Sequence, residues 1–75
     1  MDLRAYIDAF PRKERREVRN RIAAAHGVSE VTVRAWANGT RNHPCHLYAI
    51  RLTEAVTHGR VSRYDLRPDI FERPG

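Results

Sequence analysis

The sequence predicts an all-α fold, a compact bundle of four to five short helices in a single domain. Apolar residues recur at spacings of three and four along most of the chain, which is the period of a helix with one buried face. Gly and Pro fall between these periodic stretches, where they end helices and open turns. With 75 residues, the chain has room for one small hydrophobic core. A few extended residues are expected around Val61.

The first predicted helix runs from Asp2 to Phe10 and ends before Pro11. Asp2 stands just ahead of the periodic stretch and has a side chain typical of an N-cap. The apolar positions form one helical face, and they are Leu3, Tyr6, Ile7 and Phe10.

The second predicted helix runs from about Arg12 to Ala25. Its inner residues are expected to be Val18, Ile22 and Ala25. Residues 11–28 contain six basic and two acidic side chains, so most of the excess positive charge lies here. Gly27 then ends the helix, because glycine readily adopts the left-handed conformation of a C-terminal cap.

The third predicted helix begins after Ser29, an N-cap residue, and runs to about Ala37. Val33 and Trp36 lie one turn apart on its inner face. Although Trp36 could be a stacking platform for bases, this spacing favours a place in the core. Asn38 and Gly39 close the helix.

The fourth predicted helix extends from Pro44 to Thr57, with Pro44 in its first turn and Gly59 after its end. Its apolar surface is expected to come from Leu47, Tyr48, Ile50, Leu52, Ala55 and Val56. In the tail, Ser62 and Asp65 have the spacing of a capping box, which predicts one short helical turn.

Charge and composition limit the classes of function. The chain has 14 Lys and Arg against 9 Asp and Glu, a net charge of +5 and a pI near 10.3. This balance favours a polyanionic partner, either nucleic acid or an anionic membrane surface. All but one of the basic residues are Arg, whose planar guanidinium matches phosphate oxygens in two bonds.

Other classes are disfavoured. A single cysteine cannot form an internal disulfide, no apolar stretch is long enough to span a membrane, and the first residues lack a signal-peptide layout. We therefore expect a cytoplasmic protein of a bacterial cell or a phage-infected host, associated with the nucleoid. A domain of this size has little to line a buried site, and no catalytic constellation is evident. The sequence predicts no enzyme, no cofactor and no small-molecule substrate.

Four residues need consideration as metal ligands. His43, Cys45 and His46 are nearly adjacent, with His26 the only other candidate, and this spacing does not match known zinc sites. We therefore predict no metal and expect a polar loop that faces phosphate. His26 is interpreted as a partly buried residue at a helix C-terminus, where positive charge is favourable.

Residues 19–38 carry the most informative pattern. Helix, glycine turn and helix follow one another with the separation of a DNA-binding helix-turn-helix. Ala23 is small where the two helices would cross, and Gly27 makes the turn between them. The positions expected to lock the helices are Ile22, Val28, Val33 and Trp36. The outer face of the second helix would then be able to enter a major groove about 12 Å wide.

A family resemblance rests on two stretches. The first is Gly27-Val28-Ser29, Val33, Trp36-Ala37-Asn38-Gly39-Thr40-Arg41 and Pro44. The second is the run from Gly59 to Asp69. Together they resemble the Cro and repressor group of phage helix-turn-helix proteins, including the antitoxin-like YdaS group of small regulators. The resemblance implies a λ-repressor-like fold with a homodimer that binds a double-stranded DNA operator.

Candidate DNA contacts follow from helical geometry. If Val33 and Trp36 face inward, the third helix presents its other side to DNA. The candidate base-reading residues are Ser29, Glu30, Val31, Thr32, Arg34, Ala35 and Asn38. Arg34 could bond guanine O6 and N7, whereas Glu30 could accept from cytosine N4.

The candidate phosphate-binding residues flank this helix and are Arg15, Arg16, Arg19, Thr40 and Arg41. Such contacts would fix the register without reading sequence. The alternative is that the three arginines of the second helix form a solvated face that pairs with Glu14 and Glu17.

A dimer interface is expected near the fourth helix and the tail, at residues 60–75. Its candidates are Tyr64, Leu66, Ile70 and Phe71. Tyr64 could equally anchor the tail. The whole tail could instead fold back on its own bundle, which would leave a monomer that dimerises weakly or only on DNA.

The function expected from these features is that of a sequence-specific transcriptional regulator, a Cro-like phage or prophage repressor on a pseudo-palindromic operator. One alternative is an antitoxin-like autoregulator of a host module. A different class of protein, a basic helical module that binds RNA or another protein, remains a third interpretation.

Overall fold

The computed structural model describes residues 1–72 as a bundle of short helices. The five α-helices are α1 (Leu3–Asp8), α2 (Arg15–His26), α3 (Glu30–Asn38), α4 (Leu47–Val56) and α5 (Arg63–Leu66), and a 3-10 turn (Arg12–Glu14) precedes α2. Residues 1–72 contain no strand, and Val61 lies in an irregular segment. The all-α prediction is therefore confirmed. Within the same residues, no helix is long and apolar enough to cross a membrane.

Helix α1 forms with the predicted cap and inner face, but it ends at Asp8 and not at Phe10. Asp2 is its N-cap, and the Oδ1 atom accepts a hydrogen bond from the backbone N–H of Ala5 at 2.7 Å. Leu3, Tyr6 and Ile7 are buried on one face, since they recur at helical spacing.

Helix α2 starts later than predicted and buries a different alanine. Residues 12–14 form a 3-10 turn, and regular α-helix begins at Arg15. Ala23 is buried beside Val18 and Ile22, whereas Ala25 is exposed. The expected inward position of Ala25 is wrong, because the face that packs on the bundle turns toward Ala23.

The turn between α2 and α3 confirms the role of Gly27. Gly27 has φ of 67° and ψ of 32°, the left-handed conformation that lacks a steric penalty only in glycine. The N–H of Val28 donates to the carbonyl of Ala23 at 3.0 Å, which closes the end of α2. Ser29 then caps α3 by accepting from the N–H of Thr32.

Helix α4 begins at Leu47, so the predicted start at Pro44 is wrong. Residues 42–45 lie outside any helix, and the carbonyl of Pro44 accepts from His43 Nδ1 at 2.9 Å. His46 is the N-cap instead. The exposed fractions of Leu47 and Tyr48 are 43% and 71%, so the expectation that they pack inward also fails.

The tail folds back on the bundle. Val61 is fully buried in the main core cluster, against which Leu66 also packs. The Asp65 carboxylate accepts from the N–H of Ser62 at 3.0 Å, as the predicted capping box requires. Arg63 donates to the Glu54 carboxylate of α4, both from its backbone N–H at 3.0 Å and from its side chain. Residues 60–71 are therefore anchored to the same domain.

Candidate nucleic-acid interface

Helices α2 and α3 form the helix–turn–helix unit that the sequence predicts. Ile22 and Ala23 of α2 and Val33 of α3 belong to one buried cluster, with exposed fractions of 1%, 4% and 0%. Ala23 is thus small at a place where the helices pack closely. Val28 differs from expectation, since 37% of it is exposed and it lies outside the buried cluster, while its backbone N–H closes the turn.

The outer side of α3 is exposed along its length. Val31 has an exposed fraction of 67%, and the Arg34 side chain has one of 53%. Asn38 is exposed at the end of the same side. An apolar side chain, a guanidinium and an amide are the groups that contact a thymine methyl, guanine and adenine in the major groove.

The other candidate base readers have additional roles. Ser29 is exposed, but its hydroxyl caps α3 and lies 3.1 Å from the Thr32 hydroxyl. Thr32 and Ala35 are half-buried on either side of the outer strip. These three residues border the exposed side and do not form its centre.

Glu30 lies apart from the exposed side, contrary to the sequence expectation. Its side chain is 14% exposed, and its Oε1 atom accepts hydrogen bonds from Arg19 Nε of α2 and from Arg34 Nη2, the latter at 3.2 Å. These bonds, foremost the one from Arg19, lower the pKa of Glu30. The carboxylate is therefore ionised and engaged within the protein.

The candidate phosphate ligands divide into two groups. Arg16, Thr40 and Arg41 are exposed on either side of α3 in the chain. Arg15 instead donates to the backbone carbonyls of Phe10 and Asp8, each at 3.0 Å. Arg19 pairs with Glu30 of α3. Arg15 and Arg19 thus connect neighbouring elements of the bundle, and their guanidinium groups are less open to solvent than expected for a solvated helix face.

Sequence reasoning missed one basic residue beside this surface. Arg4 of α1, with Arg19, Arg34 and Asn38 among its neighbours, lines a groove of about 260 Å³. Arg4 also forms an ion pair with Asp8, at 3.8 Å. Its place beside α3 depends on how α1 packs across the bundle, for which the local sequence carries no signal.

A buried polar network supports α3 from behind. His43 is only 4% exposed, and its Nδ1 atom must donate because the carbonyl of Pro44 can only accept. Its Nε2 atom therefore accepts from the Thr53 hydroxyl at 2.7 Å. The Thr53 oxygen in turn accepts from His26 Nε2 at 2.8 Å.

The rings of this network pack on Trp36. The ring centroid of Trp36 lies 5.2 Å from that of His26 and 4.8 Å from that of His43. Trp36 is half-buried against the core, in agreement with the core interpretation of its spacing.

Burial changes the charge expected on both histidines. It lowers the pKa of His43 to about 4 and also lowers the pKa of His26. His26 is partly buried at the end of α2, as predicted, and its burial lowers its pKa, which opposes the positive charge expected there. His43 is buried, so it does not face phosphate as the polar loop was expected to. Among residues 1–72, no three His, Cys, Asp or Glu side chains are grouped to hold a metal ion.

The four candidate dimer residues do not share one exposed surface. Leu66 packs on the core of its own chain, and Tyr64 is half-buried. Phe71 is half-buried, with the Arg63 guanidinium 5.8 Å from its ring centroid. Ile70 is 49% exposed. The alternative in which the tail folds back thus describes Leu66 better than a dimer contact does.

Comparison with known families gives one match. The sequence pattern of a family described as bacterial toxin YdaS matches residues 18–74, more than half of the chain. The matched stretch includes most of α2 and all of α3, α4 and α5. It supports the YdaS part of the resemblance noted in the sequence and does not single out a Cro repressor. No curated protein and no solved structure matches the chain at a significant level.

Proposed function

We propose that this chain, which belongs to the bacterial toxin YdaS family, is a sequence-specific regulator that binds double-stranded DNA. The observation that carries the proposal is the outer side of α3, where Val31, Arg34 and Asn38 are exposed on a helix backed by a buried core. A single helix presented in this way fits the major groove, and these side chains match base edges.

Binding strength would come from the basic and polar residues around that helix. Arg16 precedes α3 in the helix-turn-helix unit, and Thr40 and Arg41 follow it, all exposed. Arg4, which pairs with Asp8, offers a further guanidinium beside α3. Contacts of this kind are made with phosphates, so they hold the protein on any duplex and set its register.

The mechanism that fits this surface is occupation of an operator. Two copies of the chain would place two α3 helices in successive major grooves, about 34 Å apart on a pseudo-palindromic site, and would exclude polymerase. This is the action of a Cro-like phage or prophage repressor. It requires neither cofactor nor catalysis, and it takes place in the cytoplasm on the nucleoid.

The family description supports a second candidate that is also a DNA-binding regulator. Operator binding would serve equally well an antitoxin-like autoregulator of a host module. A regulator that occupied promoters of its host would also slow growth, so DNA binding is compatible with a family named after a toxin. A module that binds RNA or another protein is disfavoured, because the exposed side of α3 combines groups that read duplex DNA.

Selection of bound sites from random duplex DNA tests the proposal. The expected result is a consensus with two symmetric half-sites whose centres are about ten base pairs apart or a multiple of that spacing. Random single-stranded RNA serves as the competing pool. Recovery of unrelated duplex sequences, or preferential binding of RNA, would overturn the proposal.

A further inference from the structure

We infer that Glu30 is a positioning residue of the DNA-reading surface, which holds the Arg34 guanidinium in place and does not itself contact a base. The inference rests on the proposed function. It assigns Glu30 a role that differs from the one its residue type suggests, since a carboxylate near the start of a recognition helix is a potential partner for the cytosine amino group.

The Oε1 atom of Glu30 joins two helices and the reading residue. It accepts from Arg19 Nε on α2 and from Arg34 Nη2 one turn further along α3. The side chains of Glu30 and Arg19 are 14% and 17% exposed, so this contact is largely shielded from water. Arg34, by contrast, is 53% exposed and extends from the shielded pair toward the outer side.

These contacts leave Glu30 poorly placed to read a base. Two guanidinium groups hold its Oε1 atom, and only 14% of its side chain is exposed, so little of the carboxylate is presented to a base. A negative charge in the first turn of α3 is also favourable where it stands. Both effects keep Glu30 within the protein.

Arg34 gains from the same contact. An exposed arginine samples many rotamers, and a bond from Nη2 to Glu30 restricts the guanidinium to a small set of positions. Only one hydrogen of Nη2 is used, so the other N–H groups stay available for guanine O6 and N7. Fixing such a side chain in advance typically strengthens binding about two- to tenfold.

Four proteins in the site selection test this assignment: the unmodified chain, Glu30→Gln, Arg34→Ala and the double variant. Arg34→Ala identifies the base pair that Arg34 reads. Glu30→Gln is expected to weaken the preference at that same base pair about two- to tenfold and to create no preference elsewhere. In the Arg34→Ala background, Glu30→Gln should then change base preference no further.

Arg19→Gln separates positioning from a purely structural role. It removes the positive charge from the contact between α2 and α3, leaves only a shorter neutral donor there and keeps the bond from Arg34 to Glu30. Because one positive charge is lost beside the DNA, binding to all sequences should weaken equally. Preference is measured as the ratio of binding to matched and mismatched duplexes, which does not depend on the fraction of folded protein.

Each outcome decides the inference. A new preference at a different base pair in Glu30→Gln would mean that Glu30 reads a base. If Arg19→Gln and Glu30→Gln weakened the preference at the Arg34 base pair equally, the contact between α2 and α3 would account for the effect, and positioning of Arg34 by Glu30 would not. Either result overturns the inference while the consensus of the unmodified chain upholds the proposed function. If the unmodified chain selects no consensus, the proposed function fails and the inference fails with it.

Discussion

The two sides of α3 are held in place by different kinds of contact. On the inner side, Val33 is fully buried and Trp36 packs on His43 of the polar network. On the outer side, Val31 is mostly exposed, and Arg34 has one ion pair. The buried contacts of the inner side fix where the helix lies, whereas we expect substitutions on the exposed outer side to affect folding little. A surface that recognises sequence requires this separation, since the reading residues must be able to vary on a constant support.

Replacing a valine by aspartate on each side of α3 should give the largest difference in stability between the two sides. Val33→Asp places a charge without a partner in the core, and we expect it to lower the free energy of unfolding by about 4 kcal/mol or more. Val31→Asp should change that free energy by no more than about 0.5 kcal/mol, because the side chain is exposed. Urea titrations followed by circular dichroism measure both values.

DNA binding provides the second half of this comparison. Val31→Asp should stay folded but lose affinity for duplex DNA, because its new negative charge would enter the major groove of a polyanion. If Val31→Asp unfolded the protein, or bound DNA as well as the unmodified chain does, the assignment of the outer side would be wrong.

Acid should weaken the inner side. Burial holds the pKa of His43 near 4, below its ordinary value of 6.5, so the unfolded chain binds more protons than the folded one between these values. Stability is therefore fully present above about pH 6.5 and falls as the pH decreases toward 4. The expected loss is about 2–3 kcal/mol, with His26 contributing in the same direction.

Protonation of carboxylates does not account for the loss of stability at the upper end of this pH range. The pKa values of Glu30 and Asp69 are lowered in the fold, so their contributions disappear only below about pH 4.5. Between pH 6.5 and 5 the histidines dominate. Urea titrations between pH 6.5 and 5 give the free energy of unfolding at each pH. In His43→Gln this free energy should fall less steeply with decreasing pH than in the unmodified chain. An equally steep fall would exclude His43 as the cause.

The hydroxyl that joins the two histidines has a smaller predicted effect. Thr53→Val keeps the volume but leaves the Nε2 atoms of His43 and His26 without their partner, which should cost about 2 kcal/mol of stability. Thr53→Ser keeps the hydroxyl and loses one methyl group, about 1 kcal/mol. We therefore expect Ser to be tolerated better than Val in thermal denaturation, and the reverse order would mean that packing outweighs the network.

The helix caps, and the residues of α3 that face the core, could be predicted from the sequence because each depends on neighbouring residues. Asp2 and Ser29 bond to N–H groups three residues later, and Gly27 ends its helix by its own backbone conformation. Helical spacing likewise identified Val33 and Trp36 as inward. Each of these features is complete within one or two turns of chain.

The errors concern residues whose partners lie far along the chain. Glu30 bonds Arg19 across eleven positions, and His26 bonds Thr53 across 27. Residue type suggested a base reader in the first case and a favourable helix-end cation in the second. Only the packing of α2 against α3 and α4 shows that both side chains are engaged inside the domain.

On the outer side, Arg34→Ala should remove discrimination at a single base pair. A bidentate bond from arginine to guanine contributes roughly 1–3 kcal/mol of discrimination against the wrong base. Affinity for unrelated duplexes should change little, and the melting temperature should stay close to that of the unmodified chain, since the side chain is half-exposed. Competition between matched and single-mismatch duplexes measures this loss.

Arg16→Ala is the matched control with the smallest expected effect on preference. Arg16 is exposed on α2, outside the strip that is proposed to face the bases, so its loss should weaken binding to every duplex by the same factor. The slope of log affinity against log salt concentration should fall by about one unit, because one phosphate contact releases about one counterion. If Arg16→Ala and Arg34→Ala both weakened all sequences equally, α3 would hold DNA without reading it. The contrast between its two sides would then concern stability alone.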